Sequence, residues 1–207
     1  MDHKDTVRES YNTIADEYLA KRAKKSTDIA LLDQFTKYLE PNAKVLDAGC
    51  GAGVPVAKIL NERFKVTGVD FSQKQIELAK ENVPNAILIC QDMTKLDFPT
   101  QFFDGICSFY AIIHIPREEH RALLENFYRI LKPSGVTLLC LGAEDLLDDT
   151  EEDFHGSRMY WSHFDASTYE VMLSEIGFQL IWSKIVTGET YDGKHLFVFA
   201  QKDASKI

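Results

Sequence analysis

An acid followed by closely spaced glycines is the first feature of this sequence that could do chemistry. Asp47 ends a short apolar run, and Gly49, Gly51 and Gly53 follow it at alternate positions. Glycines at such a spacing let the backbone turn sharply and approach a ligand closely. We therefore expect a ligand-binding loop here, between a strand and a helix that runs from Val56 to Phe64.

The charge beside this loop indicates what it would bind. A dinucleotide fingerprint counted from Gly49 would need glycine or alanine where the sequence has Val54. Asp47 would also place a negative charge near the pyrophosphate, which Coulomb's law disfavours and a cationic ligand would reverse. The loop thus favours a positively charged nucleoside over a diphosphate.

Two further acids follow the next two strand-like runs. Asp70 stands 23 residues after Asp47, where a carboxylate can accept hydrogen bonds from both hydroxyls of a ribose. Asp92 comes just after the third run and could accept a hydrogen bond from the exocyclic amine of adenine, while Phe71 and Met93 offer apolar faces to the ring. In chain order, the three acids predict sites for methionine, ribose and adenine.

Short strand-like runs alternate with segments of helical period along most of the chain. Nearly continuous apolar strands between helices indicate a mostly parallel sheet that is covered on both faces. The last two runs are separated only by residues 187–194, too few for a helical crossover, so we expect an antiparallel hairpin. The predicted strands are Lys44 to Asp47, Lys65 to Asp70, Ala86 to Cys90, Gly105 to Ile113, Val136 to Leu141, Leu180 to Val186 and Leu196 to Gln201.

Several helix ends can be read from the sequence. Ser72 and Ser167 each begin a capping-box pattern, in which a serine is followed three residues later by Gln or Glu. The stretch from Arg117 to Lys132 places its apolar residues on one stripe and stops at a proline-serine-glycine turn. Gly177 suits the left-handed residue just past a helix. The pattern predicts a doubly wound α/β fold.

Four motifs in register resemble those of the class I S-adenosylmethionine-dependent methyltransferases. Residues 47–53 match the family's first motif, 68–72 its ribose acid, 91–93 its adenine motif, and 131–135 the turn before its fifth strand. The opening stretch 11–18 resembles the lid helix of the small-molecule, UbiE-like branch. The resemblance implies a Rossmann-like sheet of seven strands with the last strand antiparallel, S-adenosylmethionine as cofactor, and S-adenosylhomocysteine (SAH) as product.

The same resemblance implies cofactor contacts. Tyr11 and Tyr18 lie two helical turns apart, so both would face the same way from the lid. The residues that carry over directly are Tyr18, Gly49, Asp70, Asp92 and Met93. The full set that we expect at the cofactor is Tyr11, Tyr18, Asp47, Gly49, Cys50, Gly51, Asp70, Phe71, Asp92, Met93 and Phe109.

His114 follows the fourth predicted strand, beside the expected position of the methyl group. Methyl transfer from a sulfonium is an in-line displacement, in which the protein mainly positions the acceptor and excludes water. A hydroxyl acceptor would benefit from a base with a pKa near neutrality, and a histidine offers one. We expect His114 to be catalytic; the alternative is a structural histidine that bonds to backbone at the strand end.

Residues 143–165 fit no strong period. A stretch of that length without structure in a compact domain is usually functional or mobile, so we expect part of the substrate site there. The alternative is an aromatic loop that packs on the core. The residues expected to form the wall of an acceptor pocket are His155, Tyr160, Trp161 and His163.

The predicted organisation is one methyltransferase domain over residues 1–207. A helical lid at residues 1–40 and an insertion at residues 143–165 would both cover the active site. The oligomeric state cannot be read from the sequence.

The composition of the chain and the absence of certain motifs limit the kinds of partner that we expect. The 23 Lys and Arg against 32 Asp and Glu give a net charge of −9, which repels nucleic acid and favours a small-molecule acceptor. After the fourth strand there is neither the Asn/Asp-Pro-Pro-Tyr pattern of base methylation nor a carboxylate cluster for magnesium, so we expect no metal. Four single cysteines, a charged N-terminus and the lack of a long apolar run predict a cytoplasmic protein with reduced thiols and no membrane partner.

The leading hypothesis is therefore methyl transfer from S-adenosylmethionine to oxygen or nitrogen of a small metabolite. Two others stay open at this point. One is a regulatory protein that binds S-adenosylmethionine without transferring its methyl group. The other is a nicotinamide oxidoreductase built on a related sheet.

Overall fold

A computed structural model gives the structure of residues 2–21, 27–187 and 193–204. We number strands and α-helices in chain order. The strands are β1 (Lys44–Ala48), β2 (Lys65–Asp70), β3 (Ile87–Cys90), β4 (Phe103–Ser108), β5 (Leu131–Gly142), β6 (Leu146–Phe154), β7 (Ser157–His163), β8 (Phe178–Thr187) and β9 (Lys194–Lys202). The α-helices are α1 (His3–Lys21), α2 (Thr27–Ala30), α3 (Leu32–Thr36), α4 (Val56–Leu60), α5 (Gln73–Asn82), α6 (His120–Ile130) and α7 (Ala166–Ile176).

One sheet of seven strands organises the fold, in the order β3-β2-β1-β4-β5-β9-β8. The first five strands pair in parallel, and β9 is inserted antiparallel between β5 and β8. The prediction of a seven-stranded, mostly parallel sheet with an antiparallel last strand is confirmed. Because β1, β2 and β3 run parallel and are neighbours, their carboxyl ends meet at one edge, where ligands of such sheets bind.

Apolar side chains cover both faces of this sheet. On one face Leu124 and Phe127 of α6 pack in a cluster with Leu173 of α7, and all three are fully buried. On the other face Phe35 of α3 and Leu60 of α4 are equally buried against the central strands. Burying one such side chain stabilises the fold by about 1.5–3 kcal/mol. The two layers hold the strand ends in fixed positions.

The start of α5 and the end of α7 follow the sequence signals, whereas the start of α7 does not. The Ser72 hydroxyl accepts a hydrogen bond from the amide of Gln75, as its capping box predicts, and Gly177 has the left-handed φ of 118°. The prediction that α7 is capped by Ser167 is wrong, because Asp165 accepts the hydrogen bond from the amide of Thr168. A carboxylate at this position also interacts favourably with the helix dipole.

Two other predictions need correction. The fourth strand ends at Ser108 and not at Ile113, because Tyr110 adopts a left-handed φ of 55° that interrupts the extended backbone. Residues 143–165 are not without structure, since β6 and β7 form an antiparallel hairpin that lies outside the main sheet. Most of β6 is exposed, so burial imposes no alternation on its sequence. Cross-strand hydrogen bonds therefore form a hairpin that periodicity could not reveal.

Smaller differences lie at the ends of helices. The α-helix predicted from Arg117 to Lys132 is α6 preceded by a 3-10 turn at Arg117–Glu119, and the helix predicted from Val56 to Phe64 ends at Leu60. Within the described ranges, none of the helices combines the length and the apolar character needed to cross a membrane.

Candidate active site

A cavity opens at the carboxyl ends of β1, β2 and β3, with α1 lying across it; we call it the strand-end cavity. The turns after these strands form its floor, and side chains of α1 form its roof. All the residues that the sequence predicts at a cofactor line this one cavity, and so does His114. These residues are Tyr11, Tyr18, Asp47, Gly49, Cys50, Gly51, Asp70, Phe71, Asp92, Met93 and Phe109.

Asp47 presents a buried carboxylate with an unused oxygen. Its Oδ1 accepts only a long contact from the Cys107 thiol, at 3.7 Å, and its Oδ2 has no hydrogen-bond partner among the described residues. Burial raises the pKa of Asp47 to about 7, despite the opposing effect of Cys107, and the charge of Asp70 adds to the rise. An unpaired carboxylate oxygen in the wall of a cavity is suited to an ammonium group.

Asp70 is held by backbone amides on both sides. The amide of Gly51 donates to its Oδ2 and the amide of Ser72 to its Oδ1, each at 2.9 Å. Burial raises the pKa of Asp70 to about 6, and the two amides limit the rise. Each carboxylate oxygen has a second lone pair, so Asp70 can still accept hydrogen bonds from two hydroxyls in the cavity.

Gly49 allows the loop to pass closely under the cavity. Its φ is 80°, and a Cβ at this position would lie 2.1 Å from the Cβ of Ala111 and 3.1 Å from the Cε of Met93. The amide of Gly49 donates to the carbonyl of Val69 at 2.8 Å, which fixes the turn to β2. Both the backbone conformation and the space therefore require glycine here.

Asp92 is linked to the helix above it. Its Oδ1 accepts from the amide and hydroxyl of Thr94, and its Oδ2 lies 3.0 Å from the ammonium of Lys4 on α1. Burial alone would raise the pKa of Asp92, but these hydrogen bonds hold it below its usual value. Lys4 also contacts Glu119 at 2.8 Å, so it ties α1 to two loops at the strand edge.

His114 and Tyr11 form a hydrogen-bonded pair in the roof of the cavity. The Nδ1 of His114 lies 2.8 Å from the carbonyl oxygen of Tyr160, which can only accept, so Nδ1 carries the proton. The Nε2 atom then accepts from the Tyr11 hydroxyl, at 3.0 Å. Burial lowers the pKa of His114 to about 4, although the bond to Tyr160 opposes this. The expectation of a pKa near neutrality was therefore wrong, because the imidazole is buried.

A second cavity, of about 500 Å³, lies on the other side of this pair; we call it the hairpin cavity. It shares Tyr11, Tyr18, Tyr110 and His114 with the strand-end cavity. Side chains from β6 and β7 form much of its remaining wall. The Tyr11–His114 pair is thus the boundary between a cavity at the strand ends and one beneath the hairpin.

The structure brings two of the four expected acceptor residues to the hairpin cavity. Trp161 and His163 line it. Tyr160 is buried, with its ring stacked on His3, and reaches the site only through the carbonyl that holds His114. His155 contacts the carboxylate of Glu17 on α1 and does not line the cavity.

Sequence reasoning missed several residues that line the cavities. Lys4 precedes the motif-like part of α1, so nothing in the local pattern singles it out. Tyr110 lines both cavities, and its place just after β4 was the available signal, since side chains at the carboxyl ends of parallel strands face the ligand edge. Gln75 and Gln91 also line the strand-end cavity beside the predicted acids.

The fold and the arrangement of acids can be compared with known proteins. Residues 45–135 match the family described as a methyltransferase domain. This stretch of the chain therefore resembles a methyltransferase domain. The matched stretch contains the three acids at the strand ends and His114, whereas α1 and the β6–β7 hairpin lie outside it.

Curated relatives that are similar to this chain are longer than it is. The chain is 32% identical to 24-methylenesterol C-methyltransferase 3 of Arabidopsis thaliana over 123 residues, which are 55% of this chain and 34% of that protein. It is 30% identical to phosphoethanolamine N-methyltransferase of Plasmodium falciparum over 154 residues, 70% of this chain and 57% of that protein. The chain therefore spans less than two thirds of either relative.

One solved structure shares the fold of nearly the whole chain. Magnesium protoporphyrin IX methyltransferase of Synechocystis PCC 6803, with bound SAH, superposes with a TM-score of 0.76. The superposition covers 98% of this chain and 100% of the other, at 17% identity. At that identity the likeness concerns the fold alone.

Proposed function

We propose that this chain transfers a methyl group from S-adenosylmethionine to oxygen or nitrogen of a small metabolite. The observation that carries the proposal is the buried Oδ2 of Asp47, unpaired among the described residues, in a cavity that Asp70 and Asp92 also line. An ammonium beside Asp47, a ribose beside Asp70 and an adenine beside Asp92 together describe this nucleoside. The related proteins named above are methyltransferases by their names, which supports the same reaction here.

The residues present fit this cofactor. Asp47 would pair with the amino group of its methionine portion, which relieves an unmet buried acceptor worth about 1–3 kcal/mol. Asp70 would accept from the ribose hydroxyls while the amides of Gly51 and Ser72 keep its carboxylate in place. Met93 and Phe71 line the cavity beside Asp92 and would cover the faces of the adenine.

When bound, S-adenosylmethionine supplies a methyl group activated by a sulfonium. The work of the protein is then to place the acceptor, exclude water and remove a proton from the acceptor atom. The half-buried side chains of Tyr11 and Tyr18 on α1 line the cavity from above and would reduce access of water. No strong anion is needed at the sulfur, because its positive charge disappears in the transition state.

The Tyr11–His114 pair would move the proton. The Nδ1 of His114 carries the proton that bonds to Tyr160, so the lone pair of Nε2 faces Tyr11 and can accept a proton. The Tyr11 hydroxyl already donates to this atom, and its own oxygen can accept from a hydroxyl or amine of the acceptor. We propose that a proton passes from the acceptor to Tyr11 as the Tyr11 proton passes to His114.

The proposal also includes the lid, the covering segment and the acceptor residues that were expected from the sequence. Helix α1 would act as a lid and the segment 143–165 as a cover of the acceptor site within one methyltransferase domain. Direct contacts of Trp161 and His163 with the acceptor are proposed, and those of Tyr160 and His155 stay predictions. So do a cytoplasmic location, reduced thiols, the absence of a metal, and the absence of nucleic-acid and membrane partners.

Calorimetry with SAH tests the binding half of the proposal, and release of methyl from labelled S-adenosylmethionine across a metabolite panel tests the transfer. We expect saturable SAH binding and methylation of at least one small hydroxyl or amine compound. Lack of SAH binding at millimolar concentration would overturn the proposal. SAH binding with no transfer to any member of the panel would favour the regulatory alternative.

A further inference from the structure

The wall of the hairpin cavity contains several charged side chains. They are four carboxylates and, among the described residues, one ammonium group. Two of the acids are paired: Glu144 lies 3.1 Å from Lys194, and Asp145 lies 2.7 Å from Arg117. The remaining two carboxylates give the cavity wall a negative charge.

Asp149 and Glu151 are these two carboxylates. They stand two residues apart on β6, so they share one face of the strand. Asp149 accepts a hydrogen bond from the amide of Thr150, and neither acid forms an ion pair within the described ranges. Both are exposed to water, whereas His114 is buried and Tyr11 is half-buried where they line the same cavity.

Aromatic rings lie beside these acids. Trp161 on β7 is the register partner of Asp149, and its ring packs edge-on against Phe154 at 5.4 Å between centroids. Both rings line the cavity. Aromatic faces attract cations, most strongly that of tryptophan, and carboxylates nearby strengthen the attraction. The combination selects a positive charge on the ligand, and it repels a phosphate or carboxylate.

An independent observation indicates that a polar ligand completes this cavity. His195 lines it, and the Nδ1 atom of this histidine is buried without a hydrogen-bond partner in the described part of the chain. Burial lowers the pKa of His195 to about 4, so the ring is neutral at physiological pH. A buried polar atom that no described group satisfies is costly unless a ligand or water meets it.

We infer that the methyl acceptor is a small organic cation with its charged group between Asp149, Glu151 and Trp161 and its reacting atom at Tyr11 and His114. This inference rests on the proposed function. The charged group takes no part in the reaction: a bond forms between the acceptor atom and the methyl carbon, and the carbon–sulfur bond breaks with its electrons going to sulfur. The proton of the acceptor atom passes through Tyr11 to the Nε2 of His114.

Three matched phenols test the charge preference. Tyramine, tyrosol and 4-hydroxyphenylacetate share a phenol and differ at the far end, which is an ammonium, a neutral hydroxyl and a carboxylate. Binding is measured by calorimetry on the full chain saturated with SAH. We expect tyramine to bind about tenfold more tightly than tyrosol, with the acid weakest and the difference shrinking as salt is added. Equal affinities, or no saturable heat with tyramine in the millimolar range, would overturn the inference.

Substitutions on β6 test whether the preference for a cationic ligand arises from Glu151. Glu151→Gln should weaken tyramine binding by about three- to tenfold and leave tyrosol binding unchanged, while Glu151→Lys should reverse the order of tyramine and the acid. The matched control is Glu152→Gln, since Glu152 is the next residue of β6, pairs with Arg158 at 3.1 Å and does not line the cavity. An equal loss in the Glu151 and Glu152 variants would contradict a specific site.

Measuring SAH binding distinguishes a failure of this inference from a failure of the proposed function. If SAH binds and the amine has no advantage over the alcohol, the inference fails while the proposed function stands. If SAH does not bind, the proposed function fails.

Discussion

The two cavities use carboxylates in opposite ways. In the strand-end cavity, Asp47 is buried and Asp70 is half-buried near the carboxyl ends of β1 and β2, and burial raises the pKa of both. In the hairpin cavity, Asp149 and Glu151 stand on an exposed strand outside the main sheet. Acids fixed at strand ends can bind one ligand with fixed geometry, whereas exposed acids on a hairpin set a preference for charge. Under the proposed function, the strand-end cavity would hold the cofactor and the hairpin cavity the methyl acceptor.

The largest expected effect comes from closing the space under the strand-end cavity. Gly49→Ala would place a Cβ 2.1 Å from that of Ala111, so the loop would have to move. We expect SAH affinity to fall by at least about a hundredfold, since misplacing the loop disturbs several contacts together. Calorimetry with SAH measures this loss, and the thermal unfolding midpoint reports the accompanying destabilisation.

Gly156→Ala is the matched control for this change. Gly156 has nearly the same left-handed φ, 82° against 80°, and an added Cβ would meet nothing within 4 Å. It should cost only the backbone strain of about 1 kcal/mol and leave SAH affinity unchanged. If both variants behaved alike, the backbone conformation and not the close approach would explain the glycine at position 49.

The next largest effect is expected on turnover, from a change in the Tyr11–His114 pair that separates the two cavities. His114→Ala should lower turnover by about 10²-fold or more, because it removes the proton acceptor, while SAH affinity changes little. Single-turnover kinetics measures the first quantity and calorimetry the second. A variant with full turnover would assign His114 a structural role.

His120→Gln provides the comparison for that variant. Burial lowers the pKa of His120 to about 4 as well, but its ring bonds to Tyr169 and Ile115 and lines neither cavity. The variant should therefore lose stability and keep its turnover per folded molecule. Similar losses of turnover in both variants would show that replacing any buried histidine lowers turnover, and that the position of His114 in the site is not the cause.

A smaller effect is expected at the ribose position. Asp70→Ala should weaken SAH binding by about 1–3 kcal/mol, the range for hydrogen bonds to a charged partner. The control is Asp104→Ala, which removes an acid of β4 that pairs with Lys132 far from the carboxyl ends of the strands. Unchanged SAH affinity in the Asp70 variant would mean that the ribose is bound elsewhere.

The smallest expected change follows from the pKa of Asp47. An ammonium group binds the ionised carboxylate, so below pH 7 the carboxyl must first lose a proton. SAH affinity should therefore rise with pH up to about 7, by at most about tenfold per pH unit, and then level off. Asp47→Asn should bind more weakly and lose this dependence on Asp47. A flat profile in the unsubstituted protein would separate Asp47 from the amino group of the ligand.

The sequence predicts the sheet and the strand-end cavity better than the hairpin cavity for a physical reason. Strands that are buried on both faces leave continuous apolar runs, and the acids at their carboxyl ends follow directly in the chain. The hairpin of β6 and β7 leaves no such pattern, since much of it is exposed and its cross-strand hydrogen bonds involve the backbone. The burial of His114, which moves its pKa away from neutrality, also depends on residues distant in the chain.

The sequence by itself determined the parallel sheet, the glycine turn and the order of the three acids, because each depends on neighbours in the chain and on local backbone geometry. Only the tertiary structure decided that Lys4 reaches Asp92, that Tyr11 donates to His114, and that an acidic, aromatic cavity lies beyond this pair. These contacts join α1, the strand ends and the hairpin across long stretches of chain, and local patterns do not encode distances between such segments.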